Sequence, residues 1–440
     1  MNEPLLTFPK GGVHPRESKE LTEHLPIETL PLPEEVEILL SQHFGAPCTP
    51  LVKKKDQVTE GDVIGEVERG LGASIHASVT GKVKSIDTSA HITLVSAPSV
   101  IIERDPEAEP RVYTPCDWME FSRDELLGRV KSSGIVGIGG AGFPTHVKLS
   151  PPPQAKVDIL ILNGAECEPY LTTDHRLMLE NPDEIIEGAR IILKILGLKE
   201  CHIGIEANKS DAIEVMRKTA RDHSSNGFDI AIDPLKVKYP QGSEKQLIQS
   251  ITGRRVPGLG LPFDVGVVVH NVGTTLAIYE AVVLNKPLYE KVITISGRGI
   301  SRPGNLRVRI GTKLSDIVSF LGGTKTQLAK VVMGGPMMGF AIPTLDIPVT
   351  KTTSGVLFLT NEEIDTNPHG QCIRCGWCLD ACPMGLSPNE IGAYVEAGRA
   401  EDTAQFGAFE CFECGCCAFV CPAKRPIVQF IRLAKMKAKR

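Results

Sequence analysis

Cys372-Ile373-Arg374-Cys375-Gly376-Trp377-Cys378-Leu379-Asp380-Ala381-Cys382-Pro383 returns in the same spacing as Cys411-Phe412-Glu413-Cys414-Gly415-Cys416-Cys417-Ala418-Phe419-Val420-Cys421-Pro422. Both stretches read C-x2-C-x2-C-x3-C-P. That spacing lets three thiolates wrap three corners of a cubane iron–sulfur cluster, while the fourth reaches across to the other cluster. On this logic Cys372, Cys375, Cys378 and Cys421 hold one [4Fe–4S] cluster, and Cys411, Cys414, Cys417 and Cys382 hold the second. Disulfides and zinc are the competing readings. The first is disfavoured because no secretory signal precedes the cysteines, and zinc does not need a duplicated set of eight with both prolines. Cys416 breaks the x2 spacing and reads as a neighbour of the ligands.

The rest of the chain bounds what such clusters could serve. At 440 residues it is too long for one ordinary core, and about three domains are expected. Hydrophobic content of 42% with 23% charged residues describes a folded chain, and a net charge of −5 gives no reason to expect nucleic acid. No run approaches the roughly 18 apolar residues needed to span a bilayer, and the first residues lack a signal-peptide core. A location in the cytosol, or docked on the cytosolic side of a membrane partner, is expected. The remaining cysteines, Cys48, Cys116, Cys167 and Cys201, are scattered and read as unpaired.

Residues 1–112 alternate apolar and polar positions between glycines, as in Val63-Ile64-Gly65-Glu66-Val67 and Ile75-His76-Ala77-Ser78-Val79. These paired hairpins resemble the barrel-sandwich hybrid of biotinyl and lipoyl carrier domains. The expected hairpin tip, Arg69-Gly70-Leu71-Gly72-Ala73, has no lysine to carry such a group, so a structural role is expected. Residues 113–290 alternate strands (157–162, 203–207 and 265–269) with helices (Pro182–Leu196 and 210–221), which describes an α/β domain with ligand loops at the strand ends. Residues 291–348 switch to short strands and read as a β-grasp-like, soluble-ligand-binding module. A Thr/Ser/Asn/Pro-containing connector at about 350–370 leads to the cluster domain, 362–440. Helical character at 388–399 and 400–409 favours an α-helical variety of that domain, and 427–440 reads as a solvated basic helix ending in Lys435, Lys437, Lys439 and Arg440. The fold class is therefore multidomain α/β with a β domain first and the cluster domain last.

The α/β domain carries the candidate donor site. Its first loop, Gly137-Ile138-Gly139-Gly140-Ala141-Gly142-Phe143-Pro144-Thr145-His146-Val147-Lys148, lets backbone N–H groups approach a phosphate or flat ring, with Lys148 as a cation. Three further segments matter: Asn163-Gly164-Ala165-Glu166-Cys167-Glu168-Pro169, Tyr239-Pro240-Gln241-Gly242-Ser243-Glu244-Lys245 and His270-Asn271-Val272-Gly273-Thr274. Together these resemble the flavin- and NADH-binding subunit of respiratory complex I. Gly11-Gly12-Val13-His14-Pro15, Leu30-Pro31-Leu32-Pro33 and Gln42-His43-Phe44-Gly45-Ala46-Pro47 narrow the resemblance to the RnfC component of the Rnf-type electron transport complex, over essentially the whole chain.

That resemblance implies an NADH-linked flavin and iron–sulfur oxidoreductase component with FMN, NAD(H) and two [4Fe–4S] clusters. It would sit peripherally on the cytoplasmic side of the membrane, among partner subunits that translocate Na⁺ or H⁺, and exchange electrons with ferredoxin through a sister subunit of the complex. By motif, Gly139, Gly140, Gly142, Phe143 and Lys148 would line FMN and nicotinamide. Asn163 and Glu166 would hold the ribityl chain or ring edge, Gly242 and Glu244 the dinucleotide, and Asn271 and Thr274 the FMN phosphate. Ala165, Cys167, Ser243 and His270 depart from the complex I pattern. The residues also have plainer roles open to them. Glu166 and Glu168 could satisfy the N–H groups of a helix start, a role that suits Glu168 beside Pro169. Asn271 and Thr274 could cap the following helix, and Phe143 could pack under its loop. His14, His43 and His76 read as structural. Two rival functions stay open at this point: a soluble reductase of a corrinoid cofactor, and an electron relay without flavin.

Overall fold

Glycine-punctuated alternation in the first hundred residues becomes two small sheets. Strands β1 (Ile27–Thr29), β2 (Glu35–Leu39), β3 (Thr49–Pro50), β4 (Gln57–Val58), β5 (Val63–Glu66), β6 (Ile75–His76), β7 (Gly81–His91) and β8 (Val95–Arg104) follow in order. The sheets β2-β8-β7-β4 and β3-β5-β6 close on Val36, Ile38, Ile64, Ile75, Val83, Val100 and Ile102. Alternate residues of β2 and β7 face that core, the period-two rule of a half-buried sheet. At the hairpin tip the Leu71 carbonyl accepts the Ala46 N–H, at 3.0 Å. His14, His43 and His76 each bond a backbone carbonyl, of Val237, Ala46 and Ser132, as structural histidines do. The computed structural model describes residues 4–224 and 227–438; Lys439 and Arg440 of the expected basic helix lie outside them. Among the described residues no helix is long and apolar enough to cross a membrane.

The central domain is a four-stranded parallel sheet in the order β11-β10-β9-β12. Its elements are α1 (Arg123–Ser132), α2 (Thr145–Lys148), β9 (Ile159–Asn163), α3 (Thr173–Glu180), α4 (Pro182–Leu196), β10 (Glu200–Glu206), α5 (Ser210–Asp222), β11 (Asp229–Leu235), α6 (Glu244–Thr252), β12 (Val267–Asn271) and α7 (Val272–Val283). Helix α4 starts at the expected residue because Pro182 suits the first turn, and stops where Gly197 turns left-handed at φ 70°. The three expected ligand segments all follow carboxyl ends of strands: Asn163 closes β9, Tyr239 lies beyond β11, and Asn271 closes β12. In open parallel sheets that edge is where ligands bind.

The third module is larger than its expected bounds. Strands β13 (Glu290–Ser296) and β14 (Gly304–Arg309), helix α8 (Leu314–Phe320), and strands β15 (Leu328–Met333), β16 (Phe340–Ala341) and β17 (Gly355–Thr360) form a sheet ordered β1-β14-β13-β17-β15-β16. The segment expected to be a connector thus supplies a central strand, whose six residues are all buried. Val356-Leu357-Phe358-Leu359 gains more by burial between β13 and β15 than its polar flanks suggest.

The last domain comprises α9 (Trp377–Asp380), α10 (Pro388–Glu396), two 3₁₀ turns (Ala400–Phe406 and Ala408–Glu410), α11 (Cys416–Phe419) and α12 (Ile427–Lys437). Ile391, Val395, Ile427, Ile431 and Ala434 form its core beside the cysteines. The helical character expected at 400–409 takes the form of two 3₁₀ turns, parted at Gly407, whose φ is 80°.

Lys351 ties three domains together. Its Nζ donates to the carbonyls of Ser74 (2.6 Å) and Gly134 (2.7 Å), and burial pushes its pKa down to about 7. Folded Lys351 therefore binds fewer protons than the unfolded side chain between about pH 7 and 10.5, so its contribution to stability rises with pH across that window. Lys351→Met should flatten that rise and strand the two carbonyls, at a cost of about 1–3 kcal/mol for each buried group left unpaired. Urea unfolding at pH 7 and pH 10 measures both effects.

Candidate functional site

The glycine loop faces a cavity of about 650 Å³, within the range of about 300–1,000 Å³ typical of cofactor sites. Gly139 and Gly140 line it from the α/β domain, Gln42 and His43 from the barrel, Met338 and Thr352 from the third module, and Phe412 and Arg432 from the cluster domain. A Cβ on Gly140 would meet nothing within 4 Å, so its backbone stands open to the cavity. A Cβ on Gly142, at φ 69°, would stand 2.8 Å from Thr352 Cγ2 and 3.2 Å from the Cα of His43, and the Phe143 ring lies 5.8 Å from that of Phe44. Phe143 thus packs against the barrel.

None of the other residues expected to bind the cofactors lines that cavity; several of them bond one another or the backbone of the glycine loop. The hydroxyl of Thr274 accepts the Ile138 N–H at 2.9 Å, anchoring the loop to α7. Asn271 Oδ1 accepts the N–H groups of Gly273 and Thr274, capping that helix, while its Nδ2 donates to Asp174 at 2.6 Å. Asn163 Nδ2 donates to the Gly242 carbonyl at 2.7 Å. Lys148 Nζ and Glu244 Oε1 meet at 2.5 Å, and both remain partly exposed. His270 is buried with Nε2 unpartnered; burial and then Lys148 push its pKa well down, so it is neutral.

Two neighbouring carboxylates divide their work differently from expectation. Glu166 accepts the N–H groups of Asp174 and His175 and so holds the start of α3. Glu168, expected at a helix start, instead reaches the N–H groups of Met337 and Met338 in the third module. The Glu166 backbone turns left-handed (φ 46°), sending the next carboxylate elsewhere. Burial pushes the Glu168 pKa up to about 7. Two buried lysines that carried no legible signal complete the loop's support. Lys19 donates to the carbonyls of Glu166, Glu168 and Leu171, and Lys209 to that of Ala165.

The cysteines separate into two sets. Cys372, Cys375 and Cys378 line one cavity together with Cys421 from the other motif. Burial, then the fields of Cys414, Cys411 and Cys382, push the Cys417 thiol up, which marks those four as neighbours. No disulfide joins any of the thirteen cysteines. Among the described residues no three His, Cys, Asp or Glu side chains converge closely enough to chelate one ion. Four thiols lining one cavity match the ligand number of a cubane cluster. In the first set Cys372 and Cys375 are exposed and Cys378 and Cys421 buried; in the second Cys382, Cys414 and Cys417 are buried and Cys411 half-buried, so the first set is the more exposed of the two. The Tyr239 hydroxyl, from the α/β domain, donates to the Cys414 carbonyl at 2.8 Å. Cys416 points its thiol toward the Tyr239 carbonyl.

An α/β domain with a glycine loop over a capped helix, joined to a domain with paired four-thiol sets, defines an iron–sulfur flavoprotein of the electron-transfer class. Family profiles agree along the chain: an RnfC barrel sandwich hybrid domain at residues 6–107, a Nuo51 FMN-binding domain at 130–280, an SLBB domain at 292–341 and a 4Fe-4S dicluster domain at 371–424. The RnfC-type component of the proton-translocating ferredoxin:NAD(+) oxidoreductase complex of Clostridium ljungdahlii is 47% identical over 97% of this chain and 93% of its own length. Its counterpart in the Na(+)-translocating complex of Acetobacterium woodii is 42% identical over 97% and 96%. The chain belongs to the RnfC family of ion-translocating ferredoxin:NAD(+) oxidoreductase complexes. An NAD+-reducing [NiFe]-hydrogenase in its H2-reduced state shares the fold at a TM-score of 0.51 and 18% identity, over 72% of this chain and 62% of that one.

Proposed function

We propose that this chain is the NADH-oxidising, or NAD-reducing, subunit of an ion-translocating complex, and that it passes electrons between FMN and two [4Fe–4S] clusters. The observation that carries this reading is the Tyr239–Cys414 hydrogen bond, which joins the flavin-domain loops to a four-thiol set inside one buried core. Bound FMN supplies a two-electron acceptor that can release electrons singly. The chain's residues orient and insulate. Gly140, open to the cavity, would leave room for a ring, and Gly139 would hold the loop close against Asn271. Lys148 and Glu244 would offer polar contacts to phosphate and ribose, and Asn163 and Gly242, bonded to each other, would reach the ribityl chain and the dinucleotide. Phe143 and Gly142 fix the loop against the barrel. Glu166, Asn271 and Thr274 hold the walls and could reach FMN only by exchanging bonds they already make. Cys372, Cys375, Cys378 and Cys421 would ligate the exposed cluster, and Cys411, Cys414, Cys417 and Cys382 the buried one.

Partner subunits would anchor the chain on the cytoplasmic side of the membrane, carry the ion path, and deliver electrons to or from ferredoxin. Nothing in the matches favours a soluble corrinoid reductase. Anaerobically prepared protein should contain about eight irons, four per cube, and one FMN per chain. Adding NADH should bleach the flavin absorbance and then the cluster absorbance. Zinc in place of iron, or a flavin that NADH leaves oxidised, would overturn the reading.

A further inference from the structure

The stretch Gly11-Gly12-Val13 lies apart from its barrel's core; it runs between the flavin domain and the cluster domain. The Gly12 N–H donates to the Ala381 carbonyl at 2.9 Å, and Val13 and Tyr239 exchange two backbone bonds at 2.8 and 2.9 Å. Gly11, at φ 69°, sits so close that an added Cβ would stand 2.6 Å from the carbonyl carbon of Cys382. Tyr239 then bonds Cys414. Val13, Tyr239, Ala381, Cys414 and Cys416 are buried together as one small apolar cluster.

We infer that the Gly11–Val13 strap and Tyr239 form a clamp that positions Cys382 and Cys414, ligands of the buried cluster, and so tunes that cluster independently of the exposed one. This rests on the two-cluster reading above. Cys382 and Cys414 come from different motifs, so their mutual geometry depends on what joins the two loops. The clamp does so from outside the cluster domain. Potentials of such clusters respond to hydrogen bonds, burial and the orientation of the ligating peptides. Cys372 and Cys375 are exposed, and among the described residues the strap makes no backbone bond to them.

The test uses the full chain, prepared anaerobically, with Gly11→Ala and Tyr239→Phe variants. Each is titrated potentiometrically while the paramagnetic signals of the two clusters are followed, and iron is counted. A Cys414→Ser variant identifies which signal belongs to the buried cluster. That signal should shift its midpoint, or vanish with about half of the iron, in both clamp variants, while the other keeps its wild-type midpoint. Movement of both midpoints together, movement of the exposed cluster alone, or no movement would overturn the clamp. Tyr239→Phe removes one oxygen and nothing else, so it carries the test alone if Gly11→Ala does not fold. A wild-type chain without two cluster signals would overturn the cluster reading itself, and the clamp with it.

Discussion

A Cys421→Ala chain is expected to lose the cluster of the other motif. Cys421 closes the second cysteine run, yet its side chain shares a cavity with Cys372, Cys375 and Cys378. Removing one of four thiolates from a cube usually forfeits the cube, because ligand number and folding of the loop are coupled. Iron should fall from about eight to about four per chain. The surviving signal should be the one that Cys411→Ala abolishes. Loss of the same signal in both variants would mean that each motif serves its own cluster, and the crossed assignment would fail.

Gly139→Val should strip the flavin while sparing the iron. The Cβ of any larger residue would stand 2.9 Å from Asn271 Nδ2 and 3.0 Å from its Cγ. Asn271 has no room to yield, being bonded to Gly273, Thr274 and Asp174 at once. Overpacking of this kind costs about 1–3 kcal/mol, equivalent to roughly 5- to 150-fold in affinity if it falls on the bound state. The flavin-to-iron ratio of purified protein measures it directly. An unchanged ratio would show that the loop does not cradle the ring.

Local signals were the ones legible in the sequence. The cysteine spacing announced the cluster domain, and Pro182 with Gly197 framed α4. Apolar runs located β9, β10 and β12. Strand β11 was hidden, since Asp229, Asp233 and Pro234 interrupt its pattern and only pairing with β10 makes it a strand. Strand β17 was hidden too, its four apolar residues lying among threonines, Ser354 and Asn361. The site was legible as loops but not as bonds. Whether Glu166 or Glu168 caps α3 depends on one left-handed residue, and Tyr239 acquires its partner from a segment 175 residues away. Periodicity carries no information about such distances.

The sheet that holds β1 at one edge and β17 near its middle has a consequence for inheritance. β1 precedes the barrel, while β17 ends at Thr360 with eleven residues, 361–371, between it and Cys372, so the module between them is finished by pieces from either side. A recombination breakpoint near residue 110 would leave that sheet one strand short, and would also take away Gly11 and Val13 from the loops they brace. Such a chain cannot be shuffled like beads on a string; its parts descend together or not at all.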